Sequence, residues 1–550
     1  MAHSITELAA SLQIPANAIE ARGNQIVKVD PSRLTTSPKG RVVLVTAMTP
    51  TPAGEGKTTT VVGLVDGLKR LKANVVGALR EPSLGPLFGH KGGAVGGGRS
   101  QVVPADSINL HFTGDLHAVT SAHNLLSAIV DNHLYFQNQP PLDLQRINWG
   151  SVLDMNDRAL RQAEVGREPE SVKRGINRVS RTDITAASEV MAVLCLSRDV
   201  EDLRRRLDRI LVGFSKDGEP ITAGTLKAGG AMAAVLLEAT RPNLVQSLEG
   251  SPFFIHGGPF ANIAQGTSSL IATQAARSVA DIVVTEAGFA FDLGGVKFLD
   301  LKARSGGFRP ADIVLVITVR ALRHHGGADF KAGPNVEAVS KGLANIKAHL
   351  RAMKNLGLRA PLLAINRFPG DSAEELTCIK DFATSEGTTA VENSAFSQGG
   401  AGAEELAAAL LKRLREHPED SPEYTAPYQD SDSIPTKIES LSHKIFGAQG
   451  VTLSEAAQRD LRDVEQMQMS HLPICIAKTH LSISDDKKIL GQPAPFTLQV
   501  TRLRPSLGPG FIVALCGDIL TMPGLPKEPA AAAVDIQREP DGTWKIIGLR

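Results

Sequence analysis

A chain of 550 residues with 42% apolar residues, 21% charged residues and a net charge of +1 has the composition of a globular protein with more than one hydrophobic core, so roughly two to four domains are expected. The near-neutral balance gives no bulk attraction to nucleic acid or to a membrane surface, and neither is expected as a partner. Cys195, Cys378, Cys475 and Cys516 lie too far apart for paired metal spacing, the N-terminus has no unbroken apolar core, and no uncharged apolar stretch has membrane length, so a reducing, cytoplasmic address is expected.

Arg41-Val-Val-Leu-Val-Thr-Ala47 is an apolar, β-branched run of strand length. It feeds Thr49-Pro-Thr-Pro-Ala-Gly-Glu-Gly-Lys57-Thr58-Thr59-Thr60, which opens into a helical pattern through Leu68. Strand, Gly-Lys-Thr turn and helix form the layout of a phosphate-binding loop. Thr51, Pro52, Ala53, Gly54, Glu55, Gly56, Lys57, Thr58 and Thr59 are therefore the nucleotide-binding candidates. Backbone N–H groups, the helix dipole and the Lys57 ammonium would converge on the β- and γ-phosphates of ATP, and the Thr58 hydroxyl would reach Mg²⁺. The strict pattern has Gly where this chain has Thr51; Gly54 and Gly56 still permit close backbone approach.

A second strand, 73–79, ends at Arg80-Glu81. Ligands of open α/β sheets sit beyond the carboxyl ends of strands, which makes both residues site candidates. The glycine-rich loop 89–99 either lies flat against a ligand or is only flexible. His111, His117 and His123 recur every six residues, so they do not share a helical face and a metal cluster is not expected. Residues 118–131 read as a helix, and 158–209 as helical with a solvated arginine face. Two further strand-to-glycine turns follow, at 251–258 and 281–295, the first leading into a helix that ends near Ala280.

A strand at 311–319, a helix at 336–356 and a strand at 360–366 continue the alternation. Residues 415–427 read as a connection, and short strands near 496–500 and 510–515 mark a smaller unit. The expected architecture is α/β and P-loop NTPase-like: a mostly parallel doubly wound sheet, with a nucleotide-binding segment 1–305, a second α/β region 306–430 and a small C-terminal α+β segment 431–550.

Read together, Thr49 to Thr60, Arg80-Glu-Pro-Ser-Leu-Gly-Pro86, Gly92 to Gly98, Asn109 to Asp115, His256-Gly-Gly-Pro-Phe-Ala-Asn262, Thr285 to Phe289 and Thr521-Met-Pro-Gly-Leu-Pro526 closely resemble the formate–tetrahydrofolate ligase family. The resemblance implies ATP-dependent joining of formate to N10 of tetrahydrofolate through formyl phosphate, in a homotetramer. It gives segment 1–305 the ATP and formyl phosphate, and segment 306–430 the folate. Phosphorylation turns a formate oxygen into a leaving group, and the repulsion between anions calls for fixed positive charge, here Lys57 and Arg80. By resemblance Arg80 holds the carboxylate and phosphate of the intermediate, a task suited to a planar bidentate donor.

Glu81 and Asp115 match positions where the family binds a monovalent cation, K⁺ or NH₄⁺. His111, His117 and His256 match positions where it carries histidine, either structural or managing the N10 proton. Phe368 and Phe396, with Phe289 nearby, match its pterin-stacking platform. The chain departs from the family pattern at Phe396, where Trp is expected, and at Gln265, where His is expected. A different class of protein shares the first 80 residues' pattern: a switch ATPase that moves a partner and releases no small-molecule product.

Overall fold

The structure is a computed structural model that describes residues 4–35, 37–89, 95–167, 175–329, 333–421, 423–517 and 519–549. Its centre is a large, mostly parallel sheet. The elements that carry it, in chain order, are β1 (Arg41–Ala47), α1 (Lys57–Arg70), β2 (Val75–Leu79), α2 (Asp115–Tyr135), β3 (Asn243–Ser247), β4 (Pro252–Ile255), α3 (Leu270–Val279), β5 (Ile282–Glu286), β6 (Pro310–Ile317), α4 (Val336–Asn355), β7 (Leu362–Asn366), β8 (Ala390–Asn393) and α5 (Glu404–Glu416). Strands run β4-β2-β5-β1-β6-β7-β8, all parallel, and β3 adds antiparallel to β4.

Central strands of a sheet covered on both faces should be apolar at every position, and β1, β2, β5 and β6 are buried along nearly their whole length. Their side chains alternate between two cores. Val42 and Leu44 join the core under α3 and α4, whereas Val43, Val45 and Ala47 join the core under α1 and α5. The expected strand at 360–366 is β7, and the expected helix at 336–356 is α4. Segment 306–430 contributes β6, β7 and β8 to the same continuous sheet as β1.

A smaller unit follows. Its elements are α6 (Ile434–Leu441), β9 (Gly450–Leu453), α7 (Glu455–Gln466), β10 (Ile474–Ala477), β11 (Thr497–Ser506) and β12 (Phe511–Cys516), with strand order β9-β11-β12-β10. No helix among the described residues is long and apolar enough to cross a membrane.

The expected helical stretch 158–209 is not one. Ala163–Val165 pairs antiparallel with Arg178–Ser180, Thr182–Ile184 pairs parallel with Ser151–Leu153, and among the described residues the α-helices of the stretch are Glu189–Leu196 and Val200–Arg209, beside the 3-10 turns Arg158–Arg161 and Thr185–Ala187. Its arginines divide: Arg158, Arg167, Arg198, Arg205 and Arg209 are exposed as expected, whereas Arg178 binds Asp131 at 2.6 Å and Arg206 binds Asp202, one helical turn before it, at 2.9 Å and the Pro509 carbonyl at 2.6 Å. Asp131 and Pro509 come from distant parts of the chain, which a local charge pattern does not reveal.

Candidate active site

Six of the seven parallel strands deliver a candidate residue or its loop to one rim, and β6 brings Thr318 there. Beyond β1 the loop turns at Gly54 (φ +75°) and Gly56 (φ +74°), and Gly56 directly precedes α1. Only glycine takes this left-handed backbone freely, and at Gly56 an added Cβ would also stand 3.1 Å from the Asn366 side chain. Five hydrogen bonds fix the loop. Glu55 Oε1 accepts from the backbone N–H of Thr51 at 2.7 Å and from its hydroxyl at 2.8 Å, while Oε2 accepts from Thr318. Asn366, at the end of β7, donates to the Glu55 carbonyl at 2.8 Å and accepts from the Thr60 hydroxyl at 2.9 Å. Thr51 thus does by hydrogen bonding what Gly would leave to the bare backbone.

The Lys57 ammonium makes no ion pair or hydrogen bond among the described residues. Burial lowers its pKa from the ordinary lysine value, against the pull of Glu286 and Glu55. Thr58 donates to Glu286 Oε2 at 2.9 Å, and Glu286 Oε1 lies 3.9 Å from the Arg80 guanidinium. Glu286, buried at the end of β5, therefore joins the first turn of α1 to Arg80. The sequence reading gave it no role. Its position at a strand end beside the loop strand was the available signal.

Arg80 leaves the end of β2 and donates to the Pro259 carbonyl at 3.4 Å. The backbone N–H of Glu81 donates to the Gly257 carbonyl at 2.8 Å, so the strand end is pinned to the turn after β4. Arg80 Nε and Glu81 Oε2 are buried without a hydrogen-bond partner. Burial, with the nearby Asp115 charge adding to it and Lys28 opposing, pushes the Glu81 carboxyl well above its ordinary value.

Asp115 sits in a different balance. Both its oxygens accept from the Lys28 ammonium, at 2.8 and 3.0 Å, and Oδ2 also accepts from Asn243 at 2.9 Å. Lys28, 1% exposed, is thus a buried internal cation that its position in a three-residue strand did not announce. Among the described residues no group of three or more His, Cys, Asp or Glu side chains could hold a metal ion.

The histidines are dispersed. His111 and His117 are exposed. His123 is buried against Trp149, with ring centroids 4.0 Å apart, and burial lowers its pKa to about 3. Both ring nitrogens of His256 are engaged inside the fold, Nδ1 with the Ser269 hydroxyl and Nε2 with the Ala239 carbonyl, each at 2.6 Å. That is the geometry of a structural histidine.

Of the aromatic candidates, Phe396 is 63% exposed on the four-residue helix Ala395–Gln398 that follows β8. The neighbouring Ala395 packs so closely on Gly63 of α1 that an added Cβ there would clash. An added Cβ on Gly97 would lie 3.2 Å from the Phe396 ring and 3.5 Å from the Thr59 hydroxyl, which puts the ring beside the first turn of α1. Phe368 lies under the Arg320 guanidinium at 4.1 Å, and Arg320 also reaches the Gly54 carbonyl. Phe289 takes a left-handed backbone (φ +59°) and stacks on His480 of the C-terminal unit, centroids 4.4 Å apart. Part of the glycine-rich loop, residues 90–94 with Gly92 and Gly93, lies outside the described residues.

The chain matches a family model described as formate–tetrahydrofolate ligase along residues 1–550. It is 48% identical over 555 residues to a protein of Arthrobacter sp. (strain FB24) named formate–tetrahydrofolate ligase, across 99% of this chain and 96% of that relative.

Proposed function

Because the chain belongs to the formate–tetrahydrofolate ligase family, we propose that it spends ATP to make formyl phosphate and passes the formyl group to N10 of tetrahydrofolate, releasing ADP and phosphate. The observation that carries this reading is the link from Thr58 through Glu286 to Arg80, which sets a nucleotide loop against an arginine with an unpartnered buried Nε.

The loop amides of Gly54 to Thr59, the α1 dipole and Lys57 hold the triphosphate. Thr58 and Glu286 offer hard oxygens 2.9 Å apart at the loop, a donor set that fits Mg²⁺. Bound there, the metal would neutralise charge on the β- and γ-phosphates. Arg80 orients formate toward the γ-phosphate and then holds the acyl phosphate, its fork matching a planar anion. We read segment 1–305 as carrying the phosphate chemistry, 306–430 as adding the folate wall and 431–550 as packing on Phe289 through His480. A homotetramer in the cytoplasm completes the proposal, and light scattering measures its mass.

For the monovalent cation, the buried, unpartnered Glu81 oxygen is the better fitting ligand, since Lys28 already satisfies Asp115. Activity should rise with KCl at constant chloride, and Glu81→Gln should flatten that response. Asp115→Asn should instead lower the melting temperature, because an uncompensated buried lysine costs about 3–5 kcal/mol. Equal K⁺ curves for Glu81→Gln and the parent would remove the assignment.

Phe396→Ala should raise the KM for tetrahydrofolate several-fold, since a stack contributes about 0.5–1.5 kcal/mol beyond its area. A ring already 63% exposed contributes little to the core, so the melting temperature should hold. Phe396→Trp should keep or lower that KM. Phe368→Ala should raise it too, and should also raise the KM for ATP because Arg320 loses its support. A steady-state matrix of the three substrates reads all three variants.

A further inference from the structure

Gln265 is 0% exposed, yet neither Oε1 nor Nε2 meets a hydrogen-bond partner. A carboxamide has two donors and two acceptor sites, and native proteins seldom bury all of them empty. The same turn holds Asn262 Oδ1 and Ser268 Oγ, also buried and unpartnered, and the facing strand end holds Arg80 Nε and Glu81 Oε2 in the same condition.

Close packing brings these groups to one place. An added Cβ on Gly266 or on Gly288 would strike Ala261, and the one on Gly288 would stand 3.4 Å from Arg80 Nη1. The Gly288 backbone N–H donates to the Gly266 carbonyl at 2.7 Å. Gln265 therefore precedes the very residue on which the Gly288 turn, and with it Arg80, is seated. These groups leave hydrogen-bonding capacity near Arg80 that the protein itself does not use.

We propose that Gln265 is a positioning residue for formyl transfer: its Nε2–H donates to the formyl oxygen while its Oε1 accepts from the N10–H of tetrahydrofolate. This rests on the ligase reading above and adds a residue to it. In the step, the N10 lone pair bonds to the formyl carbon and the carbon–oxygen bond to phosphate breaks, its electron pair leaving with the phosphate. The N10 proton passes to that departing phosphate, giving hydrogen phosphate and the N10-formyl product. A neutral carboxamide is no base near neutral pH, so Gln265 holds the two reacting groups in line rather than moving the proton. Donor and acceptor lie on one edge of the amide, matching an N–H beside a carbonyl. Imidazole points its two nitrogens apart and cannot make that paired contact.

Two variants test this in the intact enzyme, with two assays. Formate-dependent exchange of labelled ADP into ATP without folate reads formyl phosphate formation, and product absorbance with formate, MgATP and tetrahydrofolate reads transfer. Gln265→Leu should keep exchange within about three-fold of the parent while kcat for transfer falls roughly 10- to 100-fold. Gln265→Glu should regain transfer as pH is lowered, because only the protonated acid both donates and accepts on one edge, and the parent should show no such gain. Equal losses in both assays, no loss in either, or a Gln265→Glu profile like the parent's would overturn the proposal. Should Gln265→Leu not fold, the Gln265→Glu profile decides alone. A parent that makes no formyltetrahydrofolate would instead overturn the ligase reading.

Discussion

Arg80→Ala should lower the rate of formyltetrahydrofolate synthesis by at least a hundred-fold while leaving the melting temperature and ATP binding near those of the parent. The side chain is partly exposed and makes one long contact to the Pro259 carbonyl and one 3.9 Å approach to Glu286, so little of the fold depends on it. Its loss removes a fixed charge-assisted contact to the transition state, worth about 3–4 kcal/mol in a water-poor site. Arg80→Lys should recover only a small part, because an ammonium cannot grip a planar anion with two parallel N–H donors. Rapid-quench detection of acyl phosphate, with turnover measured in parallel, separates failure to form the intermediate from failure to pass it on. Near-normal turnover in Arg80→Ala would show that the anion is held elsewhere.

Lys57→Ala should abolish synthesis by a different route. Burial lowers the pKa of its ammonium against the pull of Glu286 and Glu55, and the ammonium makes no pairing among the described residues. The charge is therefore available to the triphosphate. Removing it should raise the Kd for MgATP or the barrier to phosphoryl transfer by about 2–4 kcal/mol, tens- to several hundred-fold. Isothermal titration with a non-hydrolysable ATP analogue and single-turnover ADP formation divide the two effects. Formate-dependent exchange should fail in Lys57→Ala and survive in Gln265→Leu, which places the two residues on opposite sides of the intermediate.

Much of this arrangement was readable along the chain because it is local. β1, α1 and β2 lie within two residues of their expected bounds, since each joins an unbroken apolar period to a glycine or charged stop. The strand-end rule then placed Arg80, Glu81 and the aromatic loops on one rim. What escaped were contacts made across the fold. Glu286 meets Thr58 from 228 residues away, Lys28 meets Asp115 from 87, and Asn366 meets Thr60 from 306. A carboxylate, an amide or a lysine carries no periodicity that names such a partner. The stretch 158–209 failed for the related reason that alternating charge suits a short strand pair as well as a helix, and the ion pairs that decide between them close only in three dimensions. His256 was a site candidate in the sequence and is held by two buried hydrogen bonds in the fold, a distinction only packing can draw.

ADP release and formyltetrahydrofolate formation, recorded together with formate, ATP and tetrahydrofolate all present and then with each omitted, test the central claim most directly. One ADP should appear per formyltetrahydrofolate formed, and sustained turnover should stop when either formate or tetrahydrofolate is left out. Steady ADP release without formate or folate, at a rate comparable to that of the complete mixture, would contradict the ligase and point to a switch ATPase.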